Sequence, residues 1–161
     1  MNVKKPFFAL LVMGSLLASC SVSKVARMDR KVIEGNWTLN NVSYEGNSGK
    51  FKSVLFNDAN ANCFIGSHWF FRNNNSTGSY WLMDGTDCTG GDRFIRWSVV
   101  DRGGLPNQLQ FKFIDEKYKD ISGGVGYRLD IASLTEEQMT LKSKVSVDGE
   151  PITIVYKFSK E

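Results

Sequence analysis

Two alternating segments near the end of the chain decide the fold: Met139-Thr-Leu141-Lys-Ser143-Lys-Val145-Ser-Val147 and Ile152-Thr-Ile154-Val-Tyr156-Lys-Phe158. Apolar side chains at every second position indicate β-strands with one buried face. Asp148-Gly149 stands between the segments, and Asp-Gly is a strong signal for a tight hairpin turn. The sequence therefore predicts an antiparallel hairpin, in which Val155 is the one break in the alternation.

The same alternation continues towards the N-terminus, in Leu109-Gln-Phe111-Lys-Phe113 and in Tyr127-Arg-Leu129-Asp-Ile131. Less regular strands are expected at 36–44, 68–73, 79–84 and 93–100, which makes eight strands. Antiparallel strands with one apolar face tend to close on each other, because closure removes unpaired edges. We predict an all-β domain at residues 35–161, folded as an eight-stranded antiparallel up-and-down barrel. A two-sheet sandwich is the competing architecture, and the absence of long crossover loops favours the barrel.

One segment departs from the strand pattern. Phe51, Val54, Leu55 and Ala59 recur at steps of three and four residues, which is typical of a helix. We therefore expect one short helix near residues 50–60, between the first and second strands, where it could close one end of the barrel.

The beginning of the chain has the form of an export signal. Lys4 and Lys5 precede an apolar run from Phe7 to Leu17, which is too short to span a hydrocarbon core of about 30 Å as a stable helix. The run ends in Leu-Ala-Ser-Cys20. This ending resembles the bacterial lipobox, whose cysteine becomes the acylated first residue of the mature protein.

The lipobox resemblance implies a lipoprotein signal peptide at residues 1–19 and acyl chains, palmitate among them, on Cys20. Two or more chains anchor a protein stably in a membrane. We expect residues 20–34 to be the lipidated N-terminus and a solvated tether. Ser21, rather than aspartate, favours the outer membrane within the cell envelope, on either the periplasmic or the surface face. The alternative is an ordinary cleavable signal with a cysteine near the cut by chance.

The two other cysteines, Cys63 and Cys88, form an even pair in an oxidising compartment. They are 25 residues apart, and closing a loop of that size would stabilise the fold by roughly 3 kcal/mol. The alternative is a metal site with His68, the only histidine. Two cysteines and one histidine lack the fourth ligand of a structural zinc site, so we predict a disulfide and no metal.

Charge and motifs exclude several classes of function. The formal net charge is +3, and it falls to +1 without Lys4 and Lys5. With no basic stripe, a nucleic acid is not expected as a partner. His68 lacks an accompanying Asp or second His at a recognisable spacing. The sequence therefore predicts no enzyme, no catalytic residue and no cofactor, and it leaves the oligomeric state open.

Gly35-Asn36-Trp37 at the opening of the first strand resembles the lipocalins. Further similarity is to the lipocalin-like lipoproteins of Bacteroidetes, in Cys63-Phe64-Ile65-Gly66-Ser67-His68-Trp69, Gly78-Ser79-Tyr80, Cys88, Ile95-Arg96-Trp97-Ser98, Gly126-Tyr127-Arg128-Leu129, Leu134-Thr135 and Met139-Thr140-Leu141. The resemblance implies a barrel whose closed end is plugged by Gly35 and Trp37. Two features of the wider superfamily are missing: a Thr-Asp-x-x-Tyr motif, and an arginine in the last strand, which offers Lys157 instead.

The aromatic face of the strands leads to the expected function. We predict a ligand site lined by Trp97, Phe111, Phe113, Tyr127 and Tyr156, because small-molecule pockets are mostly apolar and aromatic. The protein would then be a lipid-anchored binder or carrier of a small hydrophobic molecule. The alternative is a structural or interaction lipoprotein with a filled barrel, whose loops bind a protein or a glycan.

Overall fold

The computed structural model describes residues 23–46, 53–147 and 149–161. The predicted signal peptide and Cys20 lie outside the described residues. The elements, in chain order, are α1 (Lys24–Ile33), β1 (Gly35–Glu45), β2 (Val54–Leu55), β3 (Ala59–Asn60), α2 (Ala61–Phe64), β4 (Ser67–Arg72), β5 (Thr77–Leu82), β6 (Gly91–Val100), β7 (Gln108–Ile114), β8 (Tyr127–Leu134), β9 (Gln138–Val147) and β10 (Glu150–Lys160).

Eight of the strands close into one antiparallel barrel. Their order around the barrel is β1-β10-β9-β8-β7-β6-β5-β4, and β1 completes the circle by pairing with both β10 and β4. Gly149, which precedes β10, has a φ of 84°, which suits the tight turn expected from Asp-Gly. The predicted fold class is confirmed.

The barrel wall opens between β8 and β9. These strands pair from Leu134 opposite Met139 as far as Asp130 opposite Lys142. Beyond that point, residues 127–129 remain paired with β7 and residues 143–147 with β10. The two strands therefore separate at one end of the barrel.

The segment at 50–60 was predicted to be one short helix, and this placement is wrong for its described part. Val54–Leu55 and Ala59–Asn60 pair as a small hairpin, and the helical turn lies just beyond it at Ala61–Phe64. Phe56 and Asn57 have φ values of 54° and 51°, which a right-handed helix cannot accommodate. The apolar spacing instead brings Leu55 and Phe56 into the barrel, where both are buried.

A second correction concerns the tether predicted at residues 20–34. Residues 24–33 form the helix α1, which packs on the barrel through Ala26 and Ile33, at 1% and 0% exposure. The Ser23 hydroxyl accepts a hydrogen bond from the Ala26 amide at 3.1 Å and so caps the helix start. Only a few apolar positions face the barrel, which is why the sequence showed no sustained period. Neither helix in the described part of the chain has the length and apolar composition needed to cross a membrane.

Helix α1 covers the end of the barrel that we call the closed end, where β1 begins and β10 finishes. Trp37 is fully buried there, and its indole nitrogen donates to the Ile33 carbonyl at 2.7 Å. The Lys160 ammonium lies 5.2 Å from the centre of the Trp37 ring and donates to the Val32 carbonyl. Apolar burial and a cation–π contact therefore hold α1 and both ends of the barrel chain together.

Candidate functional site

The opposite end of the barrel, which we call the mouth, is covered by residues 53–66, the lid. These residues comprise β2, β3 and α2 and belong to the connection from β1 to β4. Phe56 at the tip of the lid points into the barrel and is only 8% exposed. Its ring lies 4.9–6.1 Å from the rings of Phe64, Trp69, Phe111, Tyr127 and Tyr156. The lid thus places one of its own aromatic side chains in the barrel interior.

Polar contacts fasten the lid tip to the barrel wall. The Tyr127 hydroxyl donates to the Phe56 carbonyl at 2.5 Å. The Asp58 carboxylate accepts hydrogen bonds from the Tyr80 hydroxyl at 2.6 Å and from the Arg93 guanidinium at 3.0 Å. Burial, together with Asp58, raises the pKa of Tyr80, so its hydroxyl keeps its proton and remains a donor. The tip is therefore held on β5, β6 and β8 at once.

A covalent bond fastens the other end of the lid. Cys63 in α2 is joined to Cys88, which lies in the connection between β5 and β6, with the two Cα atoms 5.5 Å apart. The predicted disulfide is confirmed. The alternative zinc site is wrong because both thiols are consumed in this bond. Among the described residues, no three His, Cys, Asp or Glu side chains are grouped so that they could hold a metal ion.

A cavity of about 370 Å³, which we call the side pocket, lies beside the lid, where β8 and β9 separate. The cavity is lined on the barrel side by Leu129 of β8 and by Ile154 and Tyr156 of β10, all of which are buried and face inward. On the lid side it is lined by Leu55 and Phe56. A pocket with these walls can take an apolar molecule from the side of the barrel.

Two tyrosines supply the polar atoms inside this pocket. The Tyr156 hydroxyl and the Ser143 hydroxyl are 3.1 Å apart. Burial raises the pKa of Tyr156 to about 12, against the opposing effect of Ser143, and burial also raises the pKa of Tyr127. Both phenols are therefore neutral at physiological pH and place no charge in the pocket, and the Tyr127 proton is already donated to the Phe56 carbonyl.

Four of the five predicted ligand-binding residues lie together at the mouth. Phe111, Phe113 and Tyr127 contact one another, with ring centres 5.1–6.1 Å apart, and Tyr156 reaches them through Phe56. Trp97 lies apart, near the closed end, where its indole nitrogen donates to the Thr77 carbonyl and the Arg30 guanidinium lies 4.5 Å from its ring centre. Trp97 thus contacts α1 and does not line the side pocket, although with Phe111 and Tyr127 it lines a separate cavity of about 490 Å³.

The two residues predicted to plug the barrel are both at the closed end. Trp37 lies beneath α1, as described above, and Gly35 has a φ of 118°. A Cβ atom on Gly35 would lie 3.2 Å from the Lys160 side chain. The backbone angle and this close approach both favour glycine at the start of β1.

Several important residues were not found from the sequence. Phe56, Asp58 and Arg93 were not singled out, although Asn57-Asp58 is a turn-forming dipeptide that argued against a helix. Lys160, rather than Lys157, covers Trp37. His68 lies on the outer surface, where its Nδ1 atom is 2.5 Å from the Glu161 carboxylate. These contacts depend on residues 22 to 123 positions apart, a distance over which local patterns carry no signal.

The sequence was also compared with known proteins. A family model described as a lipocalin-like domain matches residues 33–141, which is more than half of the chain. The chain belongs to the lipocalin-like domain family. The bacterial lipoprotein group suggested by the sequence stays a prediction. No curated protein matches this lipocalin-like chain.

Two similar solved structures are bovine odorant-binding proteins. One is a complex with a selenium-containing odorant, at 9% identity and a TM-score of 0.43, covering 82% of this chain and 72% of that chain. The other is a deswapped triple mutant, at 11% identity and a TM-score of 0.45, covering 81% and 74%. At such low identity, no residue role is transferred from them.

Proposed function

We propose that this lipocalin-like protein binds a small hydrophobic molecule in the side pocket. The observation that supports this proposal is the apolar cavity of about 370 Å³ between β8, β9 and the lid, at the place where the barrel wall is open. Known ligand pockets measure about 300–1,000 Å³. The ligand is therefore small, and it contacts Phe56, Tyr127 and Tyr156.

The test uses a chain that begins at Ser21, because all the strand pairs that close the barrel lie after that residue. Fluorescence titration with N-phenyl-1-naphthylamine, a neutral apolar probe, measures the binding. Val145 lines the pocket and Val100 lies on β6 outside it, at 37% and 38% exposure. We expect Val145→Trp to weaken probe binding about tenfold by filling the pocket, and Val100→Trp to leave it unchanged.

A second candidate function is supported by the packing inside the barrel. Phe56, Trp69 and Phe111 fill the centre with mutual ring contacts, as a structural or interaction module would. A folded wild-type protein that takes up no probe would select this second function. Crosslinking in cells should then yield one dominant protein partner, with no small molecule extracted from the purified barrel.

We further propose that the protein is anchored in the cell envelope, at the outer membrane, through acyl chains on Cys20. The lipobox sequence supports this. Cys20→Ala should abolish metabolic labelling with a fatty acid and release the protein from the membrane fraction, because the thiol is the acyl acceptor. Ser19→Ala, which keeps that thiol, is the matched control. Labelling that persists in Cys20→Ala would show that the lipobox interpretation is wrong.

A further inference from the structure

The rim of the side pocket carries two positive charges. Arg128 of β8 and Lys144 of β9 line the pocket from opposite sides of the gap, and both are exposed. Among the described residues, neither side chain takes part in an ion pair. Their neighbours differ: Lys142 pairs with Glu45 at 2.9 Å, and Arg102 pairs with Asp130 at 3.0 Å. The two uncompensated cations are therefore at the opening itself.

The interior of the pocket has the opposite character. Leu129, Ile154 and Phe56 are buried apolar side chains, and the hydroxyls of Tyr156 and Ser143 are already hydrogen-bonded to each other. An inorganic anion would leave this apolar volume empty, while a neutral hydrocarbon would gain nothing from the two exposed cations at the rim. A molecule that fits both the apolar interior and the positively charged rim has an apolar chain and an anionic head.

We propose that the side pocket binds a single-chain amphiphile with an anionic head, such as a carboxylate. Its chain lies between β8 and β9 against Phe56 and Ile154, and its head is held at the rim by Arg128 and Lys144. This inference rests on the proposed binding function and adds the class of ligand. A volume of about 370 Å³ is near the lower limit for ligand sites, which favours one chain over the two of a membrane phospholipid.

The route into the barrel follows from the same geometry. The lid is fastened over the mouth by the Cys63–Cys88 bond and by the Asp58–Arg93 ion pair. The separation of β8 from β9 needs no bond to be broken. The ligand therefore inserts its chain from the side, past the two cations at the opening, and its head comes to rest beside them once the chain is inside.

The test compares three probes of equal chain length, decanoate, decanol and decyltrimethylammonium, which displace N-phenyl-1-naphthylamine from the chain that begins at Ser21. We expect decanoate to bind about tenfold more tightly than decanol, and the cation most weakly, with the preference reduced at high salt. In R128Q/K144Q the preference for decanoate should disappear. The matched control R27Q/K31Q removes one arginine and one lysine from the exposed face of α1 and should keep it.

Each outcome has a distinct meaning. If decanol or the cation binds as well as decanoate, the charged head subsite is refuted while the hydrophobic site stands. The subsite is also refuted if R27Q/K31Q loses the preference as fully as R128Q/K144Q, since the effect would then be one of net charge. If none of the three probes displaces a bound fluorophore, the amphiphile proposal is refuted while the hydrophobic site stands, whereas the proposed function itself fails if the fluorophore does not bind to the wild-type protein.

Discussion

The two ends of the barrel are held together by different means. At the closed end, Ile33 and Trp37 are neighbours in sequence, fully buried, and joined by one hydrogen bond. At the mouth, the lid is fastened by a disulfide and an ion pair between residues far apart in the chain, and a cavity remains beside it. Continuous apolar packing makes one end stable, whereas discrete attachments at the other end leave room for a ligand.

The largest effect is expected from the closed end. Trp37→Ala should lower the free energy of unfolding by about 3–5 kcal/mol, because a fully buried indole leaves a cavity and its contacts with α1 are lost. Denaturant unfolding measures the change. Trp81→Ala, at an outward-facing tryptophan that is 37% exposed, is the control and should cost much less. Equal losses at the two positions would mean that the closed end has no special role in stability.

The disulfide is the next largest contribution, and it belongs to the mouth. Cys63→Ala with Cys88→Ala should lower the free energy of unfolding by about 2–4 kcal/mol, since the unfolded chain is no longer restricted by the loop. The barrel should keep its circular dichroism spectrum, because all eight strands remain. Peptide mapping without reductant checks the pairing, and free thiols at both positions would contradict it.

Substitution of Phe56 should change stability and ligand binding in opposite directions. Phe56→Ala should lower the free energy of unfolding by about 1–2 kcal/mol, less than usual for a buried aromatic residue, because Phe56 lines the side pocket and the vacated space opens into that pocket instead of forming a closed cavity. The same change should tighten binding of N-phenyl-1-naphthylamine, since the ring no longer competes for the pocket. Phe71→Ala, near the closed end beside Trp97, is the control. It should destabilise the protein more strongly and leave probe binding unchanged, and a gain of binding there would contradict the difference between the ends.

The smallest effect concerns a polar contact at the closed end. Hydrogen bonds from Thr38 and His68 lower the pKa of Glu161. The stability that this carboxylate contributes is therefore fully present above its ordinary pKa of 4.5, and it is lost as the pH falls through the lowered pKa. Because the side chain is 40% exposed, Glu161→Gln should cost only a few tenths of a kcal/mol at pH 7.

Unfolding at two pH values checks this sign. The difference between wild type and Glu161→Gln should vanish at a pH below the lowered pKa, where the wild-type carboxyl is protonated. Glu136→Gln, at an exposed position in the turn between β8 and β9, should show no difference at either pH. A wild-type advantage that grows on acidification would contradict the assignment.

The sequence predicted the barrel because period two is a local signal. Leu109, Leu141 and Phe158 each alternate with polar neighbours, and each is buried in the structure. The disulfide followed from the even number of cysteines left after Cys20. Both predictions needed only residues close together in the chain or a simple count.

The lid could not be predicted in the same way. Val54, Leu55 and Ala59 had the spacing of a helix, and only the packing of Phe56 among rings from four barrel strands decides that the segment is a hairpin. The gap between β8 and β9 depends on where pairing ends, and the alternation in β9 continues unchanged through it. Trp97 was assigned to the pocket because alternation shows which face a residue occupies but not its depth along the barrel.

The position of α1 bears on the orientation of the protein at a membrane. Its cap, Ser23, is three residues beyond Cys20, and three extended residues span at most about 11 Å. With acyl chains on Cys20, α1 and the closed end would face the bilayer, with Lys24, Arg27 and Lys31 exposed on the helix. The mouth and its side pocket would then point away from the lipid that carries the protein. The protein would then exchange its ligand with molecules on the aqueous side of the membrane. The acyl anchor would limit how far from the membrane those molecules can lie.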